Sequence, residues 1–186
     1  MIFPKQCVGC SREGSYICDK CRKDIQADGI SLRYRGVVRK LIKEIKYRST
    51  SDMISELVEL WSQRVGNIPV DRGSIVTSVP MYKTKQRKRG YNQAELIARQ
   101  LAKRWGCEYR ELLARKRETK PMYGLAEQER SRNVKDAFEL LDNESTHGQM
   151  IICVDDIMTT GATLLECVRV LKHGGARGVK SVVIAR

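Results

Sequence analysis

The sequence predicts an α/β protein with a small metal-binding element at its N-terminal end. Three observations carry this. Apolar runs of strand length are interspersed with amphipathic segments of helix length, as in a sheet covered by helices. One run, Ile151-Ile152-Cys153-Val154, passes at once into two acids, a Thr-Thr-Gly turn and a helical pattern. Four cysteines stand in two Cys-x-x-Cys pairs near the start of the chain.

At 186 residues the chain has room for one ordinary domain and a small appendage, and 41% apolar residues can bury a core. No apolar run approaches the length of a membrane span, and Met1-Ile2-Phe3-Pro4-Lys5 is no signal peptide. The expectation is a cytoplasmic protein with no membrane partner, whose seven cysteines serve metal or burial before disulfides. A formal net charge of +13 asks for an anionic partner, either phosphorylated small molecules or nucleic acid.

Taken in order, residues 1–25 form the appendage and residues 26–186 the α/β domain. Cys7-Val8-Gly9-Cys10 and Cys18-Asp19-Lys20-Cys21 are knuckles separated by seven residues. Each lets two thiolates meet one ion, so Cys7, Cys10, Cys18 and Cys21 can close a tetrahedral zinc site. So short a stretch buries no core of its own, and metal binding would supply most of its folding energy, on the order of 10 kcal/mol. Two disulfides are the alternative. A redox pair would belong at a helix start after a strand, and neither knuckle reads that way.

Residues 29–34 alternate as a strand. Val37, Val38, Leu41, Ile42 and Ile45 then mark one helix face, with Arg39, Lys40, Lys43 and Lys46 on an opposite face that reads as solvated, contact with phosphates being the alternative. A second helix runs from about Asp52 to Val65, with Trp61 on its core side and Gly66 as its stop. Residues 74–79 read as a buried strand closed by Pro80. The basic loop that follows, residues 81–93, lies at a strand end, where open α/β sheets place their ligands. Residues 92–105 form the next helix. Residues 108–114 read as a strand, 115–121 as a charged loop, 124–130 as helical, 133–138 as an edge hairpin, and 142–145 as a turn. Val179 begins the last strand. Cys107, Cys153 and Cys167 have no ligand spacing and read as buried small apolar groups, while His147 and His173 receive no role.

Residues 151–163 carry the chemistry. A strand, a turn rich in hydroxyls and a helix start direct free N–H groups and the helix dipole at one spot, suited to a phosphate. Thr159, Thr160 and Thr163 add donors, and Gly161 lets the backbone close around an anion. Asp155 and Asp156 have no use in a bare phosphate pocket. They suit the paired hydroxyls of a ribose, a positive charge growing on the sugar ring, or a magnesium ion. The plainer alternative is that they cap the helix. An ATPase strand would need a GxxxxGK[ST] loop, which the sequence lacks.

Val154-Asp155-Asp156-Ile157-Met158-Thr159-Thr160-Gly161-Ala162-Thr163 resembles the phosphoribosyl pyrophosphate (PRPP) signature of type I phosphoribosyltransferases. The resemblance implies that Asp155 and Asp156 hold the ribose hydroxyls as catalytic acids. It implies that Met158, Thr159, Thr160, Gly161, Ala162 and Thr163 wrap the 5′-phosphate. The pyrophosphate, with magnesium, would lie at Val79, Pro80, Met81, Tyr82 and Lys83. Lys85, Arg87 and Arg89 would neutralise it as a mobile loop excludes water. A solvated loop, or a patch for nucleic acid, is the other reading of those cations.

The match narrows with the remaining motifs. The four cysteines, Tyr34-Arg35-Gly36, Leu41-Ile42-Lys43-Glu44-Ile45-Lys46-Tyr47, Val79-Pro80 and Arg89-Gly90-Tyr91-Asn92-Gln93 resemble the ComF competence family. So do Thr119-Lys120-Pro121, Gly124-Leu125, Glu129-Arg130, Asn133 and Ala137-Phe138, while Met122 departs by replacing a family glutamine. This implies a type I phosphoribosyltransferase fold, a parallel sheet flanked by helices with a hood to which the zinc element belongs. It also implies a part in the uptake of single-stranded DNA during natural transformation. Two functions follow. One is transfer of a phosphoribosyl group to an acceptor, with no obvious general base in the chain. The other is a non-catalytic protein that keeps the PRPP fold as a ligand sensor or scaffold and binds single-stranded DNA or a competence helicase. Against an independent strand groove, only Tyr82 and Tyr91 offer stacking rings among the basic residues.

Overall fold

The elements of the computed structural model, in chain order, are α1 (Asp19–Lys23), α2 (Gly36–Tyr47), α3 (Ser51–Val65), β1 (Ile75–Ser78), α4 (Lys83–Arg89), α5 (Gln93–Trp105), β2 (Glu108–Tyr109), β3 (Leu113–Arg115), α6 (Glu127–Val134), β4 (Phe138–Leu140), β5 (Met150–Ile157), α7 (Ala162–His173) and β6 (Gly178–Ala185). The structure describes residues 4–47, 51–66, 68–119, 126–142 and 144–186, with Ser51 and Glu127 in backbone only. Lys120-Pro121, Met122 and Gly124-Leu125 lie outside the described residues.

Four strands form one parallel sheet in the order β2-β1-β5-β6. Side chains alternate across it, as extended backbone requires. Val76, Ile152, Val154, Val182 and Ile184 face a core shared with α2, α3 and α5. Ile75, Ile151, Cys153 and Val183 face a second core shared with α7 and the β3–β4 ribbon. Trp61 fills the first core at 1% exposure, and its indole N–H donates to the Val183 carbonyl at 3.1 Å.

From β1 the chain moves outward to β2, and from β5 it moves outward the other way to β6. The strand order therefore reverses between β1 and β5, which are paired from Ile75↔Ile151 to Ser78↔Val154. A crevice opens at the carboxyl ends of such a pair. Into it runs the turn after β5, while the basic segment follows the end of β1.

Several expectations need correction. Residues 29–34 form no strand of their own; Leu32 makes isolated bridges to Ala27 and to Ala185 beside the end of β6. Residues 108–114 are not one strand, because β2 joins the main sheet while β3 pairs antiparallel with β4. Arg115 ends β3 rather than opening a loop, and Asn133 lies in α6 rather than in a hairpin. The basic segment is not all loop: Lys83 to Arg89 wind into α4, which ends at Gly90 in the left-handed region. No helix among the described residues is long and apolar enough to cross a membrane.

The N-terminal element packs onto α3. Glu56 accepts the backbone N–H of Ile17 at 2.7 Å and of Tyr16 at 3.2 Å, and Ile17 and Ile25 enter the first core. Apolar anchors of this kind attach an element too small to fold alone.

Candidate functional site

The four cysteine sulfurs lie within 4.8 Å of one another. A tetrahedral zinc ion with Zn–S bonds of about 2.3 Å needs sulfurs about 3.8 Å apart, so the cluster can hold such a metal. Burial alone would raise the Cys7 thiol. The N–H groups of Cys18, Cys10 and Gly9 outweigh it by donating toward that sulfur, and bring it down to about 6. Burial and the neighbouring thiols push Cys21 up to about 12. The Cys7 thiolate forms readily and the Cys21 thiol resists joining it, a split that a cation would abolish. Cys18 stands at a helix start, as the N-cap residue of α1, but no strand among the described residues precedes that helix, so the knuckle lacks the strand–helix setting of a redox pair. Convergence of all four sulfurs also sets this site apart from a redox pair.

Gly9 is required by that closeness. A Cβ there would sit 2.7 Å from Cys21 Sγ and 3.0 Å from Val37 Cγ2. Gly9→Ala is expected to cost roughly 1–3 kcal/mol, as overpacking does, and to lower the metal retained per chain. Melting together with elemental analysis checks this; unchanged values for both would show that the knuckle has slack.

The second site is a cavity of about 350 Å³ at the mouth of the crevice. Asp155, Asp156, Met158, Thr159, Thr160, Gly161, Ala162 and Thr163 all line it. Gly161 takes φ 80°, the left-handed conformation that turns the chain from β5 into α7. No side chain among the described residues caps α7, and its first turn carries no acid. Its free N–H groups are thus left for a ligand, and the acidic pair does not serve as a cap.

The two carboxylates start on opposite faces of β5. Asp156 is 6% exposed and points toward α2 and α5. Its Oδ1 accepts the Ile157 N–H at 2.9 Å, and its Oδ2 accepts Gln93 Nε2 at 3.0 Å and pairs with Lys46 Nζ at 3.2 Å. Asp155 turns back on itself, with Oδ1 accepting the Asp156 N–H at 2.8 Å. Burial, and then the Asp156 charge and carboxyl, push Asp155 well above the usual carboxylate range; Lys46 opposes them.

Tyr34, Lys46 and Arg130 also line the cavity, and residue patterns did not single them out for this site. Helical periodicity puts Lys46 on the solvated face of α2; the signals for it are its place in the Leu41–Tyr47 motif and in the last turn of the helix. Arg130 Nε is buried and has no hydrogen-bond partner among the described residues.

None of Val79, Pro80, Met81, Tyr82, Lys83, Lys85, Arg87 or Arg89 lines that cavity. Val79 and Pro80 are buried beside it, with the Val79 N–H donating to the Val154 carbonyl at 2.9 Å. Lys83 and Arg87 are exposed. Lys85 reaches the Thr119 carbonyl at 3.4 Å. Arg89 touches the site indirectly, donating to Gln93 Oε1 at 2.6 Å. Cys153 and Cys167 are fully buried as expected, whereas Cys107 is partly exposed.

A family model described as the phosphoribosyl transferase domain matches residues 87–186. The DNA utilization protein YhgH of Escherichia coli (strain K12) is 29% identical over 158 residues, covering 82% of this chain and 69% of that protein. Competence protein F of Haemophilus influenzae is 35% identical over 115 residues, covering 60% of this chain and 49% of that one. Among solved structures, the glutamine PRPP amidotransferase from B. subtilis gives a TM-score of 0.49 at 19% identity over 75% of this chain and 30% of that chain. The chain thus spans half to two thirds of these two curated relatives, and under a third of the amidotransferase.

Proposed function

Because the chain belongs to the phosphoribosyl transferase domain family, among the ComF-type competence proteins, we propose that it binds PRPP and transfers its phosphoribosyl group to an acceptor. The observation that carries the proposal is the cavity itself. The uncapped start of α7, three threonines and two carboxylates meet in one space of about 350 Å³.

The 5′-phosphate is received by the N–H groups and hydroxyls of residues 158–163. The ribose diol donates to the acidic pair, chiefly Asp155, since Asp156 already accepts three donors. The diphosphate lies toward the end of β1, with Lys83, Lys85 and Arg87 of α4 supplying positive charge nearby. Magnesium, when bound with the diphosphate, neutralises the leaving group. The acceptor's lone pair attacks C1 of the sugar, and the C1–O bond breaks with its electrons passing to pyrophosphate. The acceptor's proton leaves to solvent. Carboxylates beside the ring favour the positive charge that grows on it. The four-cysteine element holds zinc as a structural ion, its four ligands leaving no open position.

The site lies in the cytoplasm in this reading, and its product serves the handling of single-stranded DNA during transformation. The competing reading, a PRPP-fold scaffold for single-stranded DNA or a helicase, draws on the exposed cations of α4. Titration calorimetry with PRPP and magnesium, followed by pyrophosphate release with candidate acceptors, separates them. Absence of PRPP binding overturns the transferase and the assignment of the site. Binding without release under any acceptor favours the scaffold.

A further inference from the structure

We infer that Arg89, Gln93 and Lys46 form a positioning relay that fixes Asp156 in one orientation, so that Asp155 is the carboxylate that changes partners when a ligand binds. The inference deepens the proposed PRPP reading and rests on it for the identity of the ligand.

Two helices meet at one carboxylate, and a third reaches it through Gln93. From α2, Lys46 Nζ reaches Asp156 Oδ2 at 3.2 Å, and from α5 Gln93 Nε2 reaches the same oxygen at 3.0 Å. At the end of α4, Arg89 Nη1 donates to Gln93 Oε1 at 2.6 Å. An arginine can only donate, so the amide of Gln93 must present its carbonyl to Arg89 and its NH₂ to Asp156. Arg89 thus sets the orientation of Gln93, and Gln93 that of Asp156. Gln93 is 6% exposed and Asp156 is 6% exposed, so water does not compete for these contacts.

The relay changes the assignment of Arg89. The family resemblance places it on the departing pyrophosphate, yet its guanidinium is directed at Gln93. Asp155 differs from its neighbour in having its acidic partner and its own next N–H as its contacts. Arg115 from β3 approaches Asp155 from the other face, and Arg130 from α6 lines the same cavity without touching the relay. A diol can therefore take Asp155 without disturbing the packed side of the sheet.

Gln93→Glu tests this most sharply. A carboxyl in place of the amide can donate to Asp156 only when it is protonated. Its affinity for PRPP and magnesium, relative to wild type, is expected to be close to unity near pH 5 and to fall at least about tenfold near pH 8. Lys46→Met is expected to lose about tenfold, with partial recovery in Lys46→Arg, and Arg89→Met to lose several-fold. Inorganic phosphate, which needs only the turn before α7, should bind each variant as it binds wild type. Equal PRPP affinity in Gln93→Glu and Arg89→Met would overturn the relay, and so would a parallel loss of phosphate binding.

Melting of Gln93→Glu without ligand gives a readout that does not depend on PRPP. The new carboxyl is buried against Asp156 and faces Arg89 and Lys46; for its bond to Asp156 to hold, burial and the Asp156 charge must outweigh the two cations, so that the carboxyl is raised on folding and its stability is present at low pH and lost as pH rises. The melting difference from wild type must then widen between pH 5 and pH 8. Parallel melting curves would sink the relay even if PRPP proves not to be the ligand. A wild type that ignores PRPP, with widening curves, would leave the relay standing and remove the ligand assignment alone.

Discussion

Stripping the metal from the four-cysteine element, or replacing Cys7 and Cys10 with serine, is expected to unfold residues 4–25 and lower the melting temperature by roughly 10–20 °C. The four sulfurs stand within 4.8 Å, and a bound cation is what would hold them together. The element is joined to the domain through Ile17 and Ile25, 1% and 6% exposed, and through Glu56. Exposing both isoleucines removes roughly 3–6 kcal/mol of burial, and each kcal/mol moves the melt of a domain this size by about 2–4 °C. The loss should reach the cavity as well. The Lys40 ammonium donates to the Gly9 carbonyl, and α2 carries both Lys40 and Lys46. PRPP affinity is therefore expected to fall with the metal. Elemental analysis and calorimetry provide the check; a purified chain free of metal that melts unchanged would rule the ion out.

Asp155→Asn should make the protein more stable while it loses its ligand. Burial holds the Asp155 carboxyl well above its ordinary range in the folded state. A group raised on folding contributes its stability below its unfolded value and loses it as pH rises through the folded one. Near neutral pH the carboxylate therefore opposes folding, and the amide removes that opposition. The gain is expected to be about 0.5–2 kcal/mol, typical of relieving strain at a binding site, and to vanish in acid. A charged hydrogen bond to the ribose is worth about 1.5–3 kcal/mol, so PRPP affinity should drop roughly 10- to 100-fold. Melting from acid to neutral pH, paired with calorimetry, reads both effects. A variant less stable at neutral pH would show that Asp155 is held by contacts that favour its charge.

Much of this protein was legible in its residues because its signals are local. Residues 151–163 form a strand, a turn and a helix start that are contiguous in the chain, so this strand–turn–helix unit could be read without knowing the fold. The cysteine spacing was similarly self-contained, and the apolar faces of α2, α3 and α5 followed helical periodicity into the core. Short or context-bound elements were not legible. Residues 108–114 read as one strand because both β2 and β3 suit extended backbone, and only pairing assigns them to different sheets.

The sequence by itself determined that a Thr-Thr-Gly turn and a helix start follow two acids, that four cysteines can share a metal, and which family the chain joins. Tertiary structure alone decided what the acids do. Adjacent residues on a strand look alike in a sequence, but the pleat sends Asp156 toward Lys46 and Gln93 while Asp155 folds back on the next N–H. Lys46 and Gln93 lie far from residue 156 along the chain. They reach it because β1 and β5 pair at the reversal of the strand order, which brings the ends of α2 and α5 to the mouth of one crevice.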